Sequence, residues 1–203
     1  MALQHYTFTC KIAPVPDTIN KSCLCFFLIF MLLACFSGQA ASDDETWLLV
    51  DTDSLVLQVM EGGRVAYTFE DISIGRYGAS RDKVRGDHQT PIGNFRIGWI
   101  SDETRFHRFM GLNYPDAEAA RQGYERGLID DEQWRRIRYA LNTGNVPPQN
   151  TILGGMIGIH GVGQGDLEIH GQYNWTNGCV ALTNEQIDIL SSYVRVGTRV
   201  EIR

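Results

Sequence analysis

"TWLLVDTDSLVLQVMEGGRVAYTFEDISIG", residues 46–75, decides the fold. Three runs rich in β-branched and apolar residues, "TWLLVDT", "SLVLQVM" and "RVAYTFEDISIG", are separated by Asp53-Ser54 and by Glu61-Gly62-Gly63. Short polar and glycine-containing separators between such runs are hairpin chemistry, so the domain is predicted to open as an antiparallel meander.

Outward from this stretch, "NFRIGWI", Asn94 to Ile100, follows the Pro91 and Gly93 turn and reads as a further strand. The character changes over residues 116–150. There "DAEAARQGYERGLIDDEQWRRIRYALNTG" has helical composition, an acidic start at Asp130 and Asp131, a stop at Gly144 and a closing Pro147-Pro148 pair. "MIGIHG" and "DLEIHG" read as two short strands. Thr183 with Gln186 forms a capping box for a helix over "NEQIDILSSYV", and "TRVEIR" ends the chain as a strand. The expected class is mainly β with a helical insert, α+β, and one helix near the C-terminus.

Residues 1–40 have a different composition. Lys11 and Lys21 precede the apolar run "CLCFFLIFMLLACF", and a small-residue stretch leads to Ala40. This pattern reads as a secretory signal peptide, with residues 41–203 as the mature domain in the periplasm or cell envelope. Two other readings stand beside it: an uncleaved membrane anchor, and a lipoprotein anchored at Cys35 through "LLAC". The whole chain carries a net charge of −6, and the leader's Lys11, Lys21 and Asp17 leave the mature part more acidic still. That balance argues against nucleic acid or an anionic membrane as partner.

Removal of the leader takes Cys10, Cys23, Cys25 and Cys35 with it, so the mature chain keeps Cys179 alone, in "NWTNGCVALTN". A single exported cysteine cannot close an internal disulfide. It is an intermolecular partner, a nucleophile, or an inert buried thiol. His160 and His170 precede it, each followed by glycine. An imidazole beside the sulfur and the N–H groups of an Asn177-Gly178-Cys179 turn would favour a thiolate and hold an oxyanion, which suffices for acyl transfer. Two histidines and a cysteine could also suit zinc, but no fourth ligand stands at metal-like spacing, so neither metal nor cofactor is expected.

Four blocks in order resemble the L,D-transpeptidase (YkuD-like) catalytic domain of bacterial cell-wall enzymes: "KVRGDHQTPIGNFRI" (83–97), "RFHRFMGLNYPD" (105–116), "GGMIGIHG" (154–161) and "WTNGCVALTN" (175–184). The resemblance covers roughly Thr46 to Arg203 and implies a β-sandwich or barrel with the C-terminal helix near the active site. It implies a peptidyltransferase in cell-wall crosslinking or protein attachment. Its thiolate attacks a peptidoglycan stem-peptide carbonyl, expels the terminal D-alanine and passes the acyl group to an acceptor amine, of a second stem or a protein, or to water. Carried over by position, Cys179 is the nucleophile and His160 the general base. Gly178, with the backbone of Asn177 and Cys179, would line the oxyanion hole, and Thr176 stands where many members have serine. Gly161 follows the base and gives room for substrate or backbone, and His170 is expected in the pocket wall or orienting substrate. Ala181 departs from the pattern, since many members carry arginine there.

A hydrolase with the same dyad (L,D-carboxypeptidase or amidase) and a non-catalytic wall-binding domain are the other functional readings. The insert is expected to be either a lid or wall of the cleft or a surface elaboration. The leader reading has a direct test: the intact mass of the exported protein should correspond to a start near Ala41, and a lipid-bearing start at Cys35 would instead establish a lipoprotein.

Overall fold

The computed structural model describes residues 45–203; the expected leader and Cys35 lie outside the described residues. The opening meander is present. Strands β1 (Thr46–Asp51), β2 (Val56–Glu61) and β3 (Arg64–Phe69) pair antiparallel, with a register shift at Val59/Met60 between β2 and β3. The first turn is held by Asp51, whose carboxylate accepts the N–H groups of Asp53 and Ser54 at 3.2 and 2.9 Å. This is the local bonding that makes Asp a turn residue.

The other strands are β4 (Ala79–Ser80), β5 (Thr90–Pro91), β6 (Gly93–Ser101), β7 (Phe109–Leu112), β8 (Gly158–Gly161), β9 (Val180–Leu182) and β10 (Arg199–Ile202). Eight of the ten strands form one mixed sheet in the order β3-β2-β1-β10-β6-β7-β8-β9, and β4 pairs with β5 apart from it. The C-terminal strand lies in the middle, parallel to β1 and antiparallel to β6. Leu48, Val50, Leu57, Val59, Phe95, Ile97, Val200 and Ile202 belong to the main core, which Ile187 and Leu190 of the last helix join.

The sheet is open, and the barrel form of the expectation is corrected. Past β3 the chain returns to the opposite edge, where Ser73 exchanges backbone hydrogen bonds with Ala181 of β9, at 3.0 and 2.7 Å. One bridge joins the edges without a continuous ladder. The same region corrects the third run of the meander: β3 stops at Phe69, and Asp71 takes a positive φ of 58°, so "DISIG" leaves the strand.

Two helices occupy the insert, α1 (Ala117–Glu125) and α2 (Asp131–Asn142). Asp116 caps α1, and Asp130 with Gln133 forms a full capping box on α2. Ala120, Ile129, Ile137 and Leu153 build a small second core under these helices. The segment "DLEIHG" is a helix rather than a strand. Asp166 accepts the N–H groups of Glu168 and Ile169 and starts α3 (Leu167–Gln172), and this cap overrides the short apolar pattern. The last helix, α4 (Asn184–Ser191), begins at the expected Thr183/Gln186 capping box. Among the described residues no helix is long and apolar enough to cross a membrane.

Because the α2 capping box satisfies two amide groups that the helix itself leaves free, Asp130→Ala should destabilise the fold by about 1 kcal/mol. Chemical denaturation of the variant beside the wild-type protein measures this.

Candidate active site

His160 and Cys179 reach one cleft from neighbouring strands. β8 carries His160 and pairs in parallel with β9, which begins one residue after Cys179; His160 lies opposite Ala181 in the register. Both side chains line a cleft of about 610 Å³, together with Trp99, Phe106, Phe109, Met156, Trp175 and Asn177.

The imidazole of His160 is buried and held on three sides. Phe106 stacks on it at 4.1 Å between centroids, Phe109 lies at 6.0 Å with its plane 13° away, and Trp175 meets it edge-on at 5.8 Å. Its Nδ1 is 2.7 Å from the carbonyl oxygen of Gly161. A carbonyl only accepts, so Nδ1 carries the hydrogen and Nε2 keeps its lone pair. Burial, helped by the nearby His170 and Arg105, outweighs that hydrogen bond and lowers the imidazole to about 4. Gly161 itself is obligatory: a Cβ there would stand 2.7 Å from Asn184 Oδ1 and 2.9 Å from the Phe106 carbonyl. It packs against α4 and does not line the cleft.

Cys179 is partly buried, and its thiol faces the Met156 carbonyl at 3.6 Å. Burial pushes the thiol up to about 11, against the pull of the Gly158 N–H and the Lys83 ammonium. The resting site is therefore a neutral thiol beside a neutral imidazole. This corrects the expectation of a resting thiolate: desolvation of the charged form outweighs the dipoles that favour it.

The turn that carries the cysteine is tied from within by Thr176. Its hydroxyl donates to the Cys179 carbonyl at 2.7 Å and accepts the Gly178 N–H at 3.0 Å. The Gly178 N–H is thus committed to the turn, which removes it from the expected oxyanion donors and leaves the amides of Asn177 and Cys179. Gly178 has φ of +126°, and a Cβ on it would fall 2.6 Å from the Gln89 carbonyl oxygen and 3.1 Å from Lys83 Nζ. Conformation and contact both demand glycine. Asn177 is held through its side-chain oxygen, which accepts from Arg76 at 2.8 Å.

His170 is not in the wall of the cleft. It is buried in α3, where its Nδ1 accepts from Trp175 Nε1 at 3.3 Å and lies 3.2 Å from the Ser73 hydroxyl. Trp175 stands edge-on to both histidines and keeps His170 behind the site. Nor does any residue of 116–150 line the cleft; the nearest contribution comes after the insert, from Gly155, Met156 and Ile157. Ala181 is fully buried, with both backbone groups bonded to Ser73, while Arg76 and Arg105 line the cleft. Among the described residues no group of three or more His, Cys, Asp or Glu side chains could hold a metal ion.

Sequence reasoning missed the aromatic cage of Phe106, Phe109 and Trp175 and the support given by Lys83. These residues lie inside the quoted blocks, but only the fold brings two separate segments, 106–109 and 175, around one imidazole.

The sequence profile of the L,D-transpeptidase catalytic domain, YkuD, matches residues 45–202, and the chain belongs to this family. No curated protein sequence matches it. Its fold is similar to that of Bd1075 from Bdellovibrio bacteriovorus, with a TM-score of 0.51, 18% identity, and coverage of 81% of this chain and 50% of that one. It is likewise similar to the helical cell shape determining protein Pgp2 from Campylobacter jejuni, with a TM-score of 0.51, 20% identity, and coverage of 80% and 48%. The chain thus spans about half the length of these structures.

The Thr176 hydroxyl makes two buried hydrogen bonds, so Thr176→Val should cost about 1–3 kcal/mol and slow alkylation of Cys179. Thr176→Ser should restore both. Denaturation midpoints and thiol-labelling rates of the two variants check this.

Proposed function

We propose that the chain is a cysteine peptidyltransferase of the cell envelope, acting on peptidoglycan stem peptides through a thioester on Cys179. The observation that carries this reading is the shared cleft: the imidazole of β8 with a free Nε2 lone pair and the thiol of the turn that leads into β9, within aromatic walls. Nε2 takes the thiol proton as the sulfur bonds to the stem-peptide carbonyl carbon, and the carbonyl electron pair moves to oxygen. The amides of Asn177 and Cys179 receive that oxyanion. Collapse expels the terminal D-alanine, whose amine takes the proton back from His160. An acceptor amine of another stem or of a protein then attacks the thioester, giving up its own proton to His160 and releasing the thiol.

The charge of the cleft fits such a substrate. Arg76 and Arg105 line it and no carboxylate does, in a chain of net charge −6. Stem peptides carry carboxylates, and a guanidinium pairs with a carboxylate through two parallel hydrogen bonds. Arg76 is already oriented by its bonds to the Asn177 side chain and the Trp175 carbonyl, at 2.8 and 3.3 Å. With Ala181 in place of the arginine common in the family, this clamp comes from another part of the chain.

The test is turnover of a purified tetrapeptide stem with an added acceptor amine, read by mass spectrometry. Cys179→Ala should abolish it, and His160→Ala should reduce it roughly 10²–10⁴-fold. Arg76→Ala should act mainly on KM. The base must be neutral to accept the proton, so kcat/KM should fall as pH drops through about 4 rather than through the ordinary imidazole range near 6.5. Released tetrapeptide-derived acid without amine adduct would instead identify a hydrolase, and full activity in Cys179→Ala would overturn the mechanism.

A further inference from the structure

Lys83 has no part in the proton transfers just described, yet its ammonium lies against the nucleophile turn at Gly178. Its side chain is almost wholly buried, at 3% exposure, and forms an ion pair with Asp87 at 2.7 Å. Asp87 is fixed in turn by the N–H groups of Val84 and Gln89, at 2.7 and 3.0 Å. The Lys83 carbonyl accepts from the buried Tyr114 hydroxyl at 3.2 Å, which anchors the backbone as well. The ammonium comes so close to Gly178 that a single added methyl group would sit 3.1 Å from Nζ.

A buried lysine with one carboxylate partner is weak as a source of stability, because desolvation of both charges offsets their attraction. Its position suits another purpose. Cys179 must gain negative charge at a partly buried site, and a fixed cation there is worth more than it would be in bulk water. The other ionisable groups of the cleft do not supply this. Arg76 and Arg105 are exposed to solvent, and His160 is neutral at rest. Asp87, the one carboxylate in contact with Lys83, is held below the usual carboxylate range: burial opposes its ionisation, but the Gln89 N–H, the Lys83 ammonium and the Val84 N–H outweigh it.

We propose that Lys83, held by Asp87 behind Gly178, is a positioning residue whose buried ammonium stabilises the Cys179 thiolate as it forms. The inference deepens the acyl-transfer reading and rests on it for its purpose, but the charge effect itself can be measured without any stem peptide.

The measurement is the second-order rate of Cys179 alkylation by iodoacetamide at pH 8, below the titration of the thiol, where the rate follows the thiolate fraction. Lys83→Met alone would leave Asp87 buried without its partner, so the principal variant is Lys83→Met with Asp87→Asn, which removes both charges and whose one amide oxygen can keep the bond from Gln89 or from Val84, which donate to different oxygens of Asp87. We expect this variant to keep its circular dichroism spectrum and to react about tenfold more slowly, the change that one pKa unit produces. An unchanged rate in the folded variant overturns the proposal.

A second measurement leaves the pair intact. Interaction between two ionising groups is reciprocal, so Lys83, followed by its ¹³Cε resonance, should release its proton at lower pH in Cys179→Ala than in the wild-type protein. Identical titrations overturn the proposal independently of how the double variant folds. If stem-peptide turnover survives in Cys179→Ala, the acyl-transfer reading fails while both charge measurements stand on their own.

Discussion

The contact on which the site depends is the closure of the turn carrying Cys179 against the loop from Lys83 to Thr90. Gly178 lies against the Gln89 carbonyl and the Lys83 ammonium with no room for a Cβ. The same loop is fastened to the rest of the site by Thr90, whose hydroxyl accepts the Gly75 N–H at 2.9 Å. Gly75 and Arg76 then bond along Thr176. Three segments far apart in sequence, 73–77, 83–90 and 174–179, thus hold one another, and the cysteine is the last link. Its direction is set by packing on all sides rather than by the turn alone.

From that closure follows the electrostatic state of the site. Taking the cysteine and the histidine out of water pushes the thiol up and the imidazole down, so both are neutral at rest. A neutral pair resists oxidation, since the thiolate is the reactive form of cysteine, and avoids the cost of a buried ion pair. What the surroundings contribute is a fixed arrangement: Nε2 left free by the Gly161 carbonyl, amides in the turn and a cation behind it. The aromatic cage of Phe106, Phe109 and Trp175 makes the imidazole rigid while excluding water from it.

Legibility of this arrangement in the sequence was uneven, for physical reasons. Hairpin separators, the acidic start at Asp130, the Thr183 capping box and the apolar runs act over a few residues, so the meander, the helical character of the insert and the last helix could be read directly. "DLEIHG" was misread because its short apolar alternation suits either a strand or one helical turn, and the cap from Asp166 decides between them. Strand β7 was passed over inside "RFHRFMGLNYPD", where four consecutive buried residues give no alternation. His170 resembled His160 in its local sequence, since both are followed by glycine. In the structure Trp175 stands edge-on to both and separates their surroundings.

By itself, the sequence determined the β-rich class, the position of the helical insert, the family blocks and the pairing of Cys179 with His160 as the residues of interest. The class and the insert rest on local propensity, the candidate cysteine and histidines on residue chemistry, and the choice of His160 on the family resemblance; the order of the chain contains all three. Tertiary structure alone decided that β10 enters the middle of the sheet, that the sheet stays open with one Ser73–Ala181 bridge at its edges, and that the insert stays out of the cleft. It also decided the protonation of the dyad and brought Lys83 behind Gly178. Burial and non-local contact set those properties, and both exist only once distant segments have packed.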